Sequence, residues 1–499
     1  MLDESKSLRQ EQGITIWKTN QCNGTLNYIR RFGKTRIIQL VVERTLKVNP
    51  SKKIILLVPT DIAYQNVKYI VEQYKIECHT INTFVNLVKG KVDLSCYILI
   101  IDEIHKFTSD KTINYLKKIK SDFKLGLTGS TLTKEQLRTL KQIGFPVIDI
   151  ITEDEAISNN WIADYNEYNV AVDISDNDKV TYKMLSDAIT NISDNFKGLY
   201  IKINKLFGKH HFGGDFELIQ SLYTGKKILD YNFNQIGYIK PDDLRLILCT
   251  IQGFKRDKEI TNDYDKKVQE FWNPSNIEEL AKTYIKCVGN RNAYLKHNVS
   301  KVNAVFELSN IIDKPTIIYN DSIDMIDQLY NTIKRPSVKY HSAIEPIVKY
   351  YDNGLPICYL SGEKQGEVKM FGATTQKRDA IEAITNGDVL YLITGRSLNE
   401  SLNIPNVEYV ICTSGDTNPS TYDQRTARGK TIDNNNSNKK ATIINLFIND
   451  YNLNNTLVLS RDKQKLITRQ TNVKNVIWIE NIEDMICTIK NNTLLLQHE

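Results

Sequence analysis

Tyr97-Ile98-Leu99-Ile100-Ile101-Asp102-Glu103-Ile104-His105 is an apolar run that ends on two adjacent carboxylates. An uninterrupted apolar stretch of this kind reads as a strand buried on both faces, the mark of a parallel sheet. In open α/β sheets, ligands bind beyond the carboxyl ends of the strands. Two acids at such an end suit phosphoryl chemistry. Asp102 can hold Mg²⁺, directly or through water, and Glu103 can polarise the water that attacks a phosphate. The plainer reading is a strand that closes on a charged turn, so the rest of the chain has to decide.

Upstream, Arg31-Phe32-Gly33-Lys34-Thr35 lies between a strand candidate at 25–29 and a helix candidate at 34–47. That is where a phosphate loop belongs, because backbone N–H groups and the helix N-terminus then face the anion. Lys34 would reach the β- and γ-phosphates, and the Thr35 hydroxyl would ligate Mg²⁺. The first glycine of the standard loop is missing, and Tyr28 holds its place. The order in the chain, loop first and acidic strand later, points to a nucleotide site.

Alternating strand and helix signals surround these motifs. Lys53-Ile54-Ile55-Leu56-Leu57-Val58 is a further buried strand that stops at Pro59. A helix follows over 61–74, a β-α step begins at 81–88, and Leu125-Gly126-Leu127-Thr128 is another strand. Such alternation predicts a parallel sheet with helices on both faces. Residues 161–300 read differently: a strand at 168–172, then helices at 181–193, 216–223 and 268–286. Charged, glycine-containing turns such as 209–215 separate them, as in a mostly helical insertion or linker. Alternation resumes at 301, with strands at 316–319, 389–394, 409–413 and 441–447 and helices at 322–334 and 377–385. Asp433 to Asn438 is an Asn-rich loop. The expected organisation is α/β. One domain spans 1–160, the helical module 161–300, a second α/β domain 301–460, and a C-terminal extension 461–499.

The 499 residues suit about two to four domains. Hydrophobic residues make up 41% and charged ones 25%, ordinary values for a globular chain. Net charge is +6, too weakly basic to indicate nucleic acid, so any basic surface must be local. The eight cysteines are scattered, with no CxxC pair and no zinc spacing, which suits reduced thiols in a cytosol-like compartment. No secretory signal and no run of membrane-spanning length is visible.

Taken in order, these and further stretches resemble a superfamily 2 helicase or translocase of the DExH type, with two RecA-like domains in tandem. Leu8-Arg9-Gln10-Glu11-Gln12 resembles the N-terminal glutamine-containing motif that contacts adenine. Arg30 to Thr35 resembles motif I, Val58-Pro59-Thr60 motif Ia, and Ile81-Asn82-Thr83-Phe84 motif Ib. Asp102-Glu103-Ile104-His105 is motif II, and Leu127-Thr128-Gly129-Ser130 resembles motif III. In the second half, Ile318-Tyr319-Asn320 resembles motif IV. Thr394 to Glu400, with Asn403 and Pro405, resembles motif V. Gln424-Arg425-Thr426-Ala427-Arg428 resembles motif VI. The Val-Pro-Thr form of motif Ia is closest to phage-type DNA helicases, which are related to fork-remodelling enzymes and type III restriction ATPases. Pro146-Val147, Glu155-Ala156-Ile157, Trp161-Ile162 and Tyr165 resemble the segment leaving the first domain in that group. Arg291 to Leu295, with Lys301, resembles the approach to the second.

The resemblance implies an ATP-dependent DNA helicase or translocase of phage or viral origin, acting in DNA replication, recombination or repair in the host cytoplasm. ATP and Mg²⁺ would be its cofactors and nucleic acid its partner, DNA favoured over RNA. An RNA helicase, or a nucleic-acid scaffold with a degenerate ATPase site, is the alternative. It also implies roles residue by residue. Arg9, Gln12, Arg31, Phe32, Gly33, Lys34, Thr35 and His105 would surround the nucleotide, with Thr35 and Asp102 on the metal. Lys34, Asp102, Glu103, Gln424, Arg425 and Arg428 would carry catalysis, the two arginines reaching the γ-phosphate from the second domain. Thr128 and Ser130 would couple hydrolysis to strand movement, and Thr60, Thr83 and Thr394 would touch the nucleic-acid backbone. Arg31, Ser401 and Ala427 depart from the glycines usual at their positions.

Overall fold

The computed structural model describes residues 2–89, 95–206, 212–229, 235–251, 272–351, 353–361, 364–395, 398, 404–414, 419–433, 436, 439–470 and 476–496. The expected motif V residues 396, 397 and 399–403 lie outside these. So do 207–211, 252–271, 434–435 and 437–438, parts of the expected turn, helix and Asn-rich loop.

The chain opens on the helix α1 (Leu2–Thr19). Six strands then build the first sheet: β1 (Asn23–Tyr28), β2 (Ile54–Val58), β3 (Glu77–Thr80), β4 (Ser95–Ile101), β5 (Lys120–Thr128) and β6 (Val147–Ile151). Their order is β3-β2-β4-β5-β1-β6, and every pairing is parallel. The apolar runs have a simple cause. In β4, Ile98 and Ile100 enter the core on one face of the sheet, and Leu99 and Ile101 the core on the other. In β2, Ile54, Leu56 and Val58 face the first core, Ile55 and Leu57 the second. With helices on both faces, these central runs are apolar at every position. Helix α2 (Lys34–Val48) buries Ile37, Ile38, Val41 and Val42 against the first core. Helix α3 (Asp61–Tyr74) is N-capped by Thr60, whose Oγ1 accepts the Ala63 N–H at 3.2 Å.

The next strand, β7 (Asp164–Val172), leads toward a helical region holding the ribbon β8 (Lys226–Leu229) and β9 (Gln235–Ile239). The second sheet follows: β10 (Thr316–Tyr319), β11 (Ser337–Tyr340), a short ribbon of β12 (Ile347–Val348) and β13 (Met370–Phe371), then β14 (Tyr391–Thr394), β15 (Tyr409–Cys412) and β16 (Lys440–Ile448). A second ribbon, β17 (Tyr451–Leu453) with β18 (Thr456–Val458), and β19 (Val476–Ile479) complete the strands. The second sheet runs β11-β14-β10-β15-β16-β7-β19 and is also parallel throughout. Both halves are therefore parallel α/β layers, as the alternation requires.

Two edges differ from the expected organisation. Strand β7, read as the opening of the insertion, pairs along its whole length with β16. The segment from 461 onward is no appendage: β19 extends the sheet, and Met485 and Ile489 of the closing helix Ile482–Leu496 sit in its core. Strand pairing joins residues hundreds of positions apart, which local patterning does not register. The chain divides into one compact unit of residues 1–173, 299–449 and 461–499, and another of 174–298 and 450–460. The second has its own core around Phe196, Leu218, Leu244, Leu248 and Ile277. Within it, the Tyr294 hydroxyl donates to Asp178, and the rings of Tyr294 and Tyr451 lie beside Tyr182. Among the described residues, no helix is long and apolar enough to cross a membrane.

A buried ion pair ties the second sheet together. Lys301, 1% exposed, donates to Asp462 Oδ2 at 2.6 Å and to Thr413 O at 2.9 Å. Asp462 Oδ2 also accepts the Ile448 N–H at 3.1 Å. Removing one partner of such a pair leaves the other charge buried and uncompensated. Asp462→Ala should therefore lower unfolding stability by about 3–5 kcal/mol, measured as a fall in the urea midpoint.

Candidate active site

Strand order builds the site. β4, β5 and β1 are neighbours, and their registers bring Asn27 beside Thr128 and Ile101 beside Gly126. The loops leaving their carboxyl ends therefore meet. Those loops carry Arg30 to Lys34, Asp102 to His105, and Gly129-Ser130.

The phosphate loop is shaped from below. Gly33 caps α2 at φ 94°, a left-handed conformation that side chains resist. A Cβ there would lie 2.6 Å from Gln10 Nε2, which donates to Phe32 O at 2.9 Å. Arg31 is also left-handed, at φ 70°, where the usual glycine would be unstrained. Phe32 is fully buried, edge-on to Tyr28 at 5.3 Å and to Trp161 at 5.1 Å. Its ring is a foundation of the loop and offers nothing to a nucleotide. Gly129 is required as well, because a Cβ would stand 2.6 Å from Lys34 Nζ and 2.8 Å from Tyr28 O. Lys34 and Thr35 open α2, so the N-terminal amides of that helix face the same space.

The charges form one cluster. Glu103 Oε1 lies 3.5 Å from Lys34 Nζ and 3.8 Å from Arg30 Nη1. Arg30 Nη2 donates to Ser130 Oγ at 2.7 Å. The His105 ring bridges Thr128 Oγ1 at 3.0 Å and Ser130 Oγ at 3.3 Å, and lies 3.3 Å from Glu103 Oε2. Burial pulls His105 down to about 4, which makes it a neutral imidazole. Burial and the neighbouring Glu103 charge push the Asp102 carboxyl up. Burial acts the same way on Glu103, but Lys34 and Arg30 outweigh it and hold this carboxyl below its usual range. Glu103 Oε2 is buried and accepts no hydrogen bond.

The second sheet adds Arg428. It follows the helix Pro419–Thr426, is 3% exposed, and donates from Nη2 to Leu398 O at 3.0 Å. Its Nε and Nη1 are buried without a hydrogen bond. Burial lowers Arg428, and the Arg30 charge acts in the same direction. Burial likewise lowers Arg31 to about 9, with the Arg428 charge contributing. The helix before Arg428 is held by a buried network. Glu167 Oε1 on β7 accepts from the Tyr422 hydroxyl, Asn445 Nδ2 and Gln470 Nε2.

Several expected site residues stand elsewhere. Arg425 is 2% exposed and locked inside the second lobe, with Nη2 on Asp321 Oδ1 at 2.5 Å and Nη1 on Ser414 O at 3.3 Å. It shapes the loop after β10 and does not reach the first lobe. Arg9 is spent on Asp149 at 2.7 Å and 3.1 Å and on Glu155 at 3.3 Å, tying α1 to β6. Gln12 is exposed on α1, and Gln10 is the glutamine on the phosphate loop. The Thr394 hydroxyl is buried and donates to Tyr340 O at 2.8 Å. Thr60 is the α3 cap already described; Thr83 is exposed and donates to Thr80 O at 3.1 Å. Gln424 is half-buried. Gln10 and Arg30 fall within the stretches that resemble the N-terminal glutamine motif and motif I, but residue type alone did not single either out as a site residue.

The donor set suits a nucleotide with its metal. Arg428 nitrogens that lack an acceptor call for an anion, and so does the excess of cations over Asp102 and Glu103. No cluster of three or more His, Cys, Asp or Glu side chains able to hold a metal occurs among the described residues. Mg²⁺ takes one or two carboxylates and completes its shell with phosphate and water. Asp102 and the Thr35 hydroxyl are the protein groups that would hold it.

Residues 300–430 match the helicase conserved C-terminal domain, and residues 32–132 match an AAA domain. Among solved structures, the chain is similar to the Hef helicase domain of Pyrococcus furiosus, at 14% identity and a TM-score of 0.47, covering 92% of this chain and 97% of that one. It is also similar to S. cerevisiae Dbp5 bound to RNA and ADP BeF3, at 13% identity and a TM-score of 0.49, covering 97% and 92%. No curated protein matches it.

Gly129→Ala should weaken ATP binding by at least about tenfold, because the added carbon displaces Lys34 or the loop backbone. Titration with a fluorescent ATP analogue checks this, with circular dichroism expected to stay unchanged.

Proposed function

We propose that this chain, which belongs to the superfamily 2 helicases by its two matched domains, uses ATP hydrolysis to drive movement along DNA. The observation that carries this reading is the charge cluster. Lys34 and Arg30 lie against the buried carboxylate of Glu103, and Arg31 with Arg428 of the second sheet add positive charge close to Arg30. Phosphoryl transfer asks for little else, since its catalysis is positioning and neutralisation of developing charge.

Thr35 and Asp102 would hold Mg²⁺, which supplies charge neutralisation on the β- and γ-phosphates when bound. Lys34 binds the phosphate chain. Glu103 orients the attacking water, and its ionised state is secured by the two cations beside it. Arg428 contributes positive charge from the other lobe, so its approach to the phosphate depends on how the two sheets are held. Loss of the γ-phosphate removes the anion that links them. His105 joins Glu103 to Thr128 and Ser130, a route from the nucleotide to the motif III loop. Thr60 caps the helix after β2, and Thr83 lies in the first turn of the helix Ile81–Lys89 after β3; there a nucleic-acid backbone could be followed without reading sequence. DNA is favoured by the Val58-Pro59-Thr60 form of that loop. A phage or viral role in DNA replication, recombination or repair follows from the same likeness.

ATP hydrolysis measured alone and with single-stranded DNA, forked DNA or single-stranded RNA tests the reading. DNA should stimulate turnover at least about tenfold, and Glu103→Gln should lower it by about 10³-fold or more. Preferential stimulation by RNA would replace DNA as the track. Nucleic-acid binding with no turnover would leave a scaffold.

A further inference from the structure

Of the three cations in the motif VI stretch Gln424 to Thr431, only Arg428 faces the first lobe with nitrogens left over. Arg425 is paired with Asp321. Lys430 is paired with Glu153 at 2.6 Å and lies 3.8 Å over the Tyr165 ring. Thr431, where an arginine is often found in the family it resembles, donates its hydroxyl to Ala427 O at 3.2 Å. The second sheet thus offers one guanidinium for a transition state whose charge spreads over three equatorial oxygens.

A second guanidinium is already in place on the first sheet. Arg30 leaves the end of β1, four residues before Lys34. It is fixed by Ser130 Oγ at 2.7 Å and points at Glu103 Oε1 from 3.8 Å, beside Lys34 at 3.5 Å from the same oxygen. Its side chain is 14% exposed. Ser130 is in turn held by His105, and His105 by Thr128, so the guanidinium rests on a chain of buried hydrogen bonds. Glu103 is the water-orienting group, so a cation against it stands on the γ-phosphate side of the loop. Arg30 and Lys34 also share one carboxylate, and an incoming phosphate would compete for both.

We propose that Arg30 is a catalytic residue: an arginine supplied in cis by the phosphate loop, which takes the place of the absent second motif VI arginine. The inference rests on the ATPase reading above. In the step concerned, a bond forms between water oxygen and the γ-phosphorus. The bond to the β–γ bridging oxygen breaks, ADP and phosphate result, and the water proton leaves by way of Glu103. Arg30 neutralises charge on the γ-phosphoryl oxygens as this happens. Its Ser130 anchor makes the cation dependent on the motif III loop.

The test compares full-length wild type, Arg30→Ala, Arg30→Lys and Ser130→Ala in steady-state ATP hydrolysis and in binding of MgADP with and without aluminium fluoride. Arg30→Ala should lower kcat by about 10²–10³-fold while KM for ATP and MgADP affinity stay within about threefold. Affinity for the aluminium fluoride complex should fall with kcat. Arg30→Lys should recover part of kcat, and Ser130→Ala should lose about tenfold. In a Glu103→Gln background, Arg30→Ala should still weaken the aluminium fluoride complex; no further loss would mean that Arg30 acts only through Glu103, and the inference falls. It falls too if Arg30→Ala turns over like wild type, or loses MgADP binding in equal measure. A wild type without turnover overturns the ATPase reading itself, which separates the two failures.

Discussion

Glu103 holds one carboxylate oxygen between two cations while its neighbour Asp102, equally buried, has none so close. Two adjacent carboxylates out of water repel, and ionising both is costly. The fold answers by setting Lys34 and Arg30 against one of them, Glu103, and no cation so close to the other. Everything that brings those cations near must then be rigid. Gly33 and Gly129 are positions where a single added carbon would strike Gln10 or Lys34. The Phe32 ring is clamped between Tyr28 and Trp161, so the loop cannot drift from the end of β1. Site and core here are continuous, because the residues that support the loop also close one face of the sheet.

The second sheet meets the same constraint differently. Its polar residues are buried in pairs and networks. Lys301 with Asp462, Arg425 with Asp321, and Glu167 with Tyr422, Asn445 and Gln470 each satisfy one charge with hydrogen bonds inside the lobe. These contacts fix the loops after β10 and β15 and the helix Pro419–Thr426. Arg428 differs from Arg425 in having no carboxylate partner; its Nη2 donates to Leu398 O, and its Nε and Nη1 are among the buried nitrogens without a hydrogen bond. The division of labour between Arg425 and Arg428 follows: one builds the platform, and the other is presented by it.

Much of this was legible in advance. The runs Ile54 to Val58 and Tyr97 to Ile101 are apolar at every position because each strand is covered on both faces, and that pattern needs no partner to be recognised. The Gly33-Lys34-Thr35 turn announced a strand-to-helix junction for the same local reason. Arg9 and Thr394 have their side chains engaged inside the fold, on Asp149 and Glu155 and on the Tyr340 carbonyl. An arginine or threonine that resembles a motif member looks the same in sequence whether it faces a ligand or a neighbouring strand. Gln10 and Arg30 were passed over because their importance lies in what they touch, the carbonyl of Phe32 and the hydroxyl of Ser130.

By itself the sequence determined the two parallel α/β layers and the order of loop and acidic strand. Each depends on residue type and short spacing, which local physics decides. Only the tertiary structure decided that β7 and β19 complete the second sheet. Only it decided that Arg425 is locked on Asp321 while Arg428 is not, and that Arg30 stands against Glu103. Those facts depend on contacts between residues up to about three hundred positions apart, set by strand pairing and close packing.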